Sequence, residues 1–349
     1  MREALKAAIH RCGALSAYHR IRNRHRLTVV GFHRVLAEDD PRWATAMPTW
    51  TVSEGLFAHC LSFFARHYNV VSLGDLVDRA GQAKPLPERP LLITFDDGWA
   101  DNAEYALPLL RQHGLPAVLF CATAAIGQAD GFWQEETFAA LRRQQVANPD
   151  LEAFWQALFG STPMPEPPVE DEAIDRAINE LARLDASQRA AVLVRLPKAP
   201  PTTKPAMLGQ QQLRELQAAG FAIGSHGETH EPLPQTPDQE REMTNAWCAL
   251  QDWLPDIDQT AMTIAFPHGR YSPESLNIAR RLGHRLIFTT ERGLAPLEGR
   301  RLCSDLLPRV DITPNHLNGP DGRFAPYRLA MWLFGQPAHQ PGPSDGHAS

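Results

Sequence analysis

The sequence predicts an α/β protein of parallel strands joined by crossover helices, and three observations carry that prediction. Short, nearly continuous apolar runs recur along the chain, the form taken by strands buried on both faces. Stretches with helical spacing alternate with them, as in Leu56, Cys60, Leu61, Phe64 and Tyr68. The best-defined run, Leu91-Leu92-Ile93-Thr94-Phe95, stops at Asp96-Asp97-Gly98-Trp99. In α/β folds, sites lie at the carboxyl ends of such strands.

The elements follow in order. Residues 1–26 hold seven Lys/Arg against one acid, Glu3, with Leu5, Ile9, Cys12 and Leu15 on one helical face. Such a basic amphipathic helix either packs on the domain with its charges in solvent or lies on an anionic membrane surface. Residues 27–33 read as a first strand ending at His33 and Arg34. The helix through Leu56 and Phe64 has Ser53 as its cap. Residues 70–73 read as a short strand, Leu76 as the start of a helix, and Pro85, Pro87 and Pro90 as a loop into the central strand. Residues 102–113 form an amphipathic helix closed by Gly114, and residues 116–122 a buried strand. From about 129 to 205 the alternation fails, and helical spacing and Pro-rich loops predict a helical insertion able to cover or shape a cleft. Strand–helix alternation then resumes: a helix stopped at Gly220, a strand over 221–225, and a long helix through Met243 and Trp253. It continues with a strand over 262–266, a helix over 276–282 and strands over 286–289 and 306–310. A short apolar helix over 327–334 precedes a Pro/Gly/Ser tail, 336–349, expected to be disordered.

Composition narrows the function. With 349 residues, 43% of them hydrophobic, the chain has room for one large α/β domain with an insertion. A formal net charge of −6 argues against a nucleic-acid partner. The five cysteines are scattered without a CxxC pair, and Cys60 and Cys121 sit in apolar patterns as small core residues, which fits a reducing compartment. No apolar run is long enough to span a bilayer and the first residues lack a signal-peptide core. The expected location is the cytoplasm, with residues 1–26 as the point of any peripheral contact with the inner membrane surface.

Asp-Asp-Gly after a strand is ordinary turn chemistry taken alone. Two adjacent carboxylates repel each other unless a cation sits beside them, so the same residues also point to a metal. The second constellation is His226-Gly227-Glu228-Thr229-His230, which follows the strand over 221–225. Were this stretch to turn helically, both imidazoles would share one face. Two histidines and a carboxylate leave coordination positions open for water and substrate, the catalytic pattern. Zinc is the expected ion, and cobalt, nickel or iron suit the same donors.

These motifs resemble the polysaccharide deacetylases, the NodB-like fourth carbohydrate esterase family. Thr94-Phe95-Asp96-Asp97-Gly98 and His226-x-x-Thr229-His230 are similar to the first two motifs of that family, and Phe266-Pro267-His268-Gly269 to the third. Gly31-Phe32-His33-Arg34-Val35 resembles the Tyr-His-Arg-Val opening of an exopolysaccharide-deacetylase branch. The resemblance covers residues 27–310 outside the insertion and implies a distorted (β/α) barrel of about seven strands over 27–335. It implies metal-dependent removal of acetyl from an amino sugar in a polysaccharide, oligosaccharide or glycolipid precursor. Asp97, His226 and His230 would hold the metal and Asp96 would be the general base, with Arg309 or Arg270 as the cation keeping it ionised. Pro267, His268 and Gly269 would line the oxyanion or substrate side, as would Trp99.

Two departures stand out. Gly227 replaces the usual hydroxyl residue, and the late Leu-x-His motif that supplies the general acid is absent, His316 lying in a loop-like Asn-His-Leu. The family includes circularly permuted members that take the acid from the first strand, which implies His33, on the side of the metal away from Asp96. Two alternatives remain: hydrolysis of a different amide or ester on this fold, and a non-catalytic carbohydrate-binding relative.

Overall fold

The computed structural model describes residues 2–77, 85–143, 148–197, 204–258 and 262–339. Its strands are β1 (Arg26–Phe32), β2 (Arg34–Leu36), β3 (Thr51–Ser53), β4 (Asn69–Val70), β5 (Pro90–Phe95), β6 (Val118–Cys121), β7 (Ala222–Ser225), β8 (Thr263–Ala265), β9 (Leu286–Phe288), β10 (Ala295–Glu298), β11 (Arg301–Leu302), β12 (Leu306–Leu307) and β13 (Val310–Asp311). The parallel path β1-β5-β6-β7-β8-β9-β12 curls round, and β13 returns to pair in parallel with β1. The strand expected over 306–310 is therefore two pieces, one on β9 and one on β1. Pro308 between them has no N–H to donate to a ladder, which is where the chain leaves one partner for the other. Taken as one interrupted strand, they complete a seven-stranded distorted barrel wrapped by helices.

Pleating sorts the strand residues into two cores. Leu27 and Val29 of β1, Leu92 of β5 and Phe120 of β6 fill the barrel, whereas Val30, Phe32, Ile93, Phe95 and Leu119 face the helices. The rings of Phe120 and Phe288 lie 4.9 Å apart across the interior, although β6 and β9 are not neighbours. The continuous apolar runs arise because both faces of these strands are buried.

Several elements differ from expectation. The basic N-terminal segment is two helices, Arg2–Arg11 and Ala14–Arg22, broken at Gly13, which adopts φ +81°. The short strand is Asn69–Val70 and the helix Leu73–Leu76 ends at Leu76, capped by Ser72 and Asp75; residues 78–84, where that helix was expected to run, lie outside the described residues. Helix 102–113 opens with one π turn, Asn102–Ala106, before α-helix Leu107–His113, because Pro108 cannot donate to the preceding turn. The antiparallel hairpin β10–β11 was not anticipated; it caps the amino end of β1. Residues 336–339, expected to be disordered, pair with Leu294 through Pro337 O and the His339 N–H, while 340–349 lie outside the described residues.

Residues 39–48 and 128–206 form a second compact unit. Helices Trp133–Arg142, Pro149–Phe159, Asp171–Arg183 and Ala186–Leu193 bury Phe138, Leu141, Phe154, Trp155, Ile174 and Leu181 in a core of their own. Within it, Asp40 binds both Arg42 (2.9 Å) and Lys204 (3.0 Å). No helix among the described residues is long and apolar enough to cross a membrane.

Candidate active site

Register brings the functional side chains to one rim. Phe32 pairs with Phe95, so His33 and Asp96 leave adjacent parallel strands at the same level. Ser225 pairs with Cys121 and Ile264, which places His226 two strands round from Asp96, beside the Phe266-Pro267-His268-Gly269 turn. All of them emerge at carboxyl strand ends.

Asp97 takes φ +77° and turns its carboxylate toward the histidines. Its Oδ1 lies 3.5 Å from His226 Nε2 and 3.2 Å from His230 Nε2. Beyond these two imidazole contacts this buried oxygen has no hydrogen-bond partner among the described residues. The three ligand atoms fall within 4.8 Å of one another. A buried anionic oxygen whose only polar neighbours among the described residues are two imidazole nitrogens is what a cation would satisfy, and this donor set fits a divalent metal. The His226 Nδ1–H donates to Ala265 O at 2.8 Å, which leaves Nε2 as the lone-pair side, and burial lowers its pKa to about 4, keeping the ring neutral for ligation.

The stretch 226–230 is not helical. Glu242, buried on helix Gln239–Trp253, gathers it instead: its Oε1 accepts the N–H of Glu228 (2.9 Å), the N–H of Thr229 (2.6 Å) and the Thr229 hydroxyl (2.9 Å). This bend sets His230 at φ +65° and brings its ring to 5.1 Å from that of His226. Gly227 sits at φ +76°, where a Cβ would lie 3.0 Å from Glu242 Oε1 and 3.2 Å from Pro267 Cγ. Its departure from the usual hydroxyl residue thus has a steric cause. Glu242 had no sequence signal; it reads as one more charge on a polar helix face.

Asp96 accepts from Arg309 Nη1 at 2.7 Å, and both are buried. Burial is the largest single influence and pushes the Asp96 pKa up, but the charge and hydrogen bond of Arg309, together with His226 and His33, hold the carboxyl below its ordinary range. Arg309 is itself fixed by donating to Thr289 O at 3.0 Å. Of the two expected cations, Arg309 holds this place, and Arg270 is half-buried in the loop beyond Gly269. Trp99 braces Asp97, not Asp96: its Nε1–H donates to Asp97 Oδ2 at 2.8 Å. The Arg34 guanidinium lies 4.3 Å over the Trp99 ring and pairs with buried Asp101 at 2.9 Å. Asp101 also accepts the Val35 N–H, while Asn102 donates to His33 O at 2.9 Å, so this network braces the end of β1.

His33 follows β1 next to the strand that carries Asp96, and its ring lies 4.7 Å from that of Trp50. The charges of Asp96, Asp97 and Asp311 all lie within its electrostatic reach. Asp311, on β13, was missed; its Oδ1 is buried without a partner, and burial raises its pKa against Arg309 and His33. His268 takes φ +55° and its ring packs 4.5 Å from that of His230, with Nε2 at 3.2 Å from His230 O. His316 is structural: it stacks on Trp332 at 3.7 Å and lies in helix Pro314–Leu317.

With barrel and rim in place, the class of protein is defined, and comparison agrees. The polysaccharide deacetylase family model matches residues 83–287. The chain belongs to that family. YxkH of Bacillus subtilis, whose name places it among polysaccharide deacetylases, is 23% identical over 235 residues, 67% of this chain and 55% of its own length. The chain therefore spans only about half of that curated relative. In fold it is similar to the Streptococcus pyogenes deacetylase PplD, solved in complex with acetate: TM-score 0.54, 19% identity, 89% of this chain and 99% of that one. IcaB from Ammonifex degensii superposes with TM-score 0.53 and 18% identity, over 89% of this chain and 97% of that one.

Proposed function

We propose that this protein is a metal-dependent deacetylase that hydrolyses the N-acetyl amide of an amino sugar in a polysaccharide, oligosaccharide or glycolipid precursor. The observation that carries the reading is the convergence of the buried Asp97 Oδ1 with His226 Nε2 and His230 Nε2, one residue from a carboxylate paired with Arg309. A divalent cation on Asp97, His226 and His230, zinc before cobalt, nickel or iron, lowers the pKa of a water and polarises an acyl carbonyl.

The chain's own residues do the rest. Asp96 accepts the proton of the attacking water, since Arg309 keeps it in the basic form at neutral pH. The N–H groups of Gly269 and Arg270 are engaged by Phe266 O and Pro267 O, so among the described hydrogen bonds of this turn the His268 N–H is left to donate to a developing oxyanion. An amine is a poor leaving group, and His33 supplies its proton. PplD, a protein of this fold described as a deacetylase, was solved with acetate, the acid this reaction would release.

Acetate release from N-acetylhexosamine oligomers, measured after chelation and again after adding zinc, tests the reading. Release that returns with metal and is lost in Asp96→Asn is expected. Glycan binding without release under any metal would replace the enzyme with a carbohydrate-binding relative.

A further inference from the structure

The two N-terminal helices are fastened along one side and apolar along the other. On the inner side, His19 stacks on Phe334 at 4.0 Å, and Arg22 donates to Phe334 O (3.2 Å) and Gln336 O (2.7 Å). Asn23 also donates to Phe334 O, and Glu3 accepts from the Tyr327 hydroxyl at 2.8 Å. The segment is thus part of the fold, held against helix Pro326–Phe334.

The outer side is not the charged surface expected of a helix resting in solvent. On the first helix, Leu5 and Ile9 are 62% and 38% exposed; on the second, Tyr18 and Ile21 are 47% and 80% exposed. Ala14, Ala17, Tyr18 and Ile21 recur at helical spacing and are all exposed, so they make one apolar stripe. Leu5, Ile9, Tyr18 and Ile21 are a majority of the seven exposed large hydrophobics among the described residues. Arg11 and Arg20 are exposed beside them, whereas Arg24 is engaged by Glu88. The only acid of the segment, Glu3, is occupied by Lys6 and Tyr327. Charge is therefore segregated, with a basic segment on a chain of net charge −6.

We infer that this face docks on an anionic lipid bilayer. Apolar side chains reach the acyl boundary while arginines at the edge pair with headgroups, and the two contributions need each other, because one amphipathic patch of this size binds only marginally. The acidic remainder of the chain is repelled by the same surface, which fixes the orientation in which the protein lands. A substrate carried on a lipid would then be presented to an enzyme already at the membrane; this last clause rests on the deacetylase reading, and the docking does not.

Co-sedimentation of the full chain with vesicles tests it. The protein is expected to pellet with phosphatidylcholine–phosphatidylglycerol vesicles, not with phosphatidylcholine alone, and to be released by salt. The Leu5→Asp/Ile21→Asp double variant, altered only at exposed positions, should partition at least about tenfold more weakly with an unchanged melting temperature. Its acetate release from a soluble glycan should equal that of the parent, which separates failure of docking from failure of the chemistry. Absence from both pellets, or equal pelleting of parent and variant, overturns the inference. So does a parent that dimerises through this face and ignores vesicles.

Discussion

Glu242 grips Thr229 twice, taking its backbone N–H at 2.6 Å and its hydroxyl at 2.9 Å, and so bends the segment that carries both candidate metal histidines. Glu242→Ala releases three donors at once and should weaken metal affinity by about 10–100-fold while leaving all three ligands in place. Glu242→Gln keeps an acceptor and should lose much less. Competition against a chromophoric chelator distinguishes them, and equal affinity in both variants would make Glu242 a packing residue only.

The ligands themselves should be less forgiving. Asp97→Ala, His226→Ala and His230→Ala each remove one donor of three, so each should lower bound zinc in elemental analysis of the purified protein. Full occupancy in all three would place the metal elsewhere.

Asp96→Asn removes proton acceptance and keeps the shape. Metal content should be retained and kcat should fall by about 10²–10⁴. His33→Ala should discriminate by leaving group. An activated ester needs no protonation and should be hydrolysed far better than an amide; equal losses on both would leave His33 without a role as acid.

Arg34 and Asp101 form a buried pair at 2.9 Å, with side chains 1% and 0% exposed. Removing one partner strands the other charge, so Arg34→Leu or Asp101→Ala should cost about 3–5 kcal/mol in denaturant unfolding. A cost under about 1 kcal/mol would mean that water already reaches the pair.

Stability should fall on the acid side of neutrality. His19 is buried between Tyr68 and Phe334, and burial lowers its pKa to about 3. Its stabilisation is therefore complete above the unfolded value of about 6.5 and is lost as pH drops, because the unfolded chain takes up a proton that the fold refuses. His19→Phe should flatten the unfolding free energy between about pH 6.5 and 4 by up to about 1.4 kcal/mol per pH unit. An unchanged slope would show that His19 is solvated in the folded protein.

What could be read in advance follows from where the information resides. Asp96, Asp97, His226 and His230 stand next to strands whose apolar runs fix both their existence and their ends, so motif and fold were visible together. Asp101 and Glu242 act through partners distant in the chain, and Asp311 is buried at the rim by the fold; a charged residue on a helix or strand has the same local signature whether it is solvated or buried. Pro308 allows a break between residues 306–307 and 310–311, but nothing local says that the two halves pair with different strands.

That break has a consequence for how the protein comes to life. Arg309 lies 213 residues from the Asp96 it steadies, and it is carried by the segment whose two halves join the first and last strands of the ring. Contacts so remote in sequence form only after the intervening chain has been ordered. Until then Asp96 meets burial without its counter-charge and favours the protonated state, which cannot accept a proton from water. On the proposed mechanism, copies collapsed short of closure would hold all three candidate metal ligands and still be inert, so that competence would arrive with the sealing of the ring.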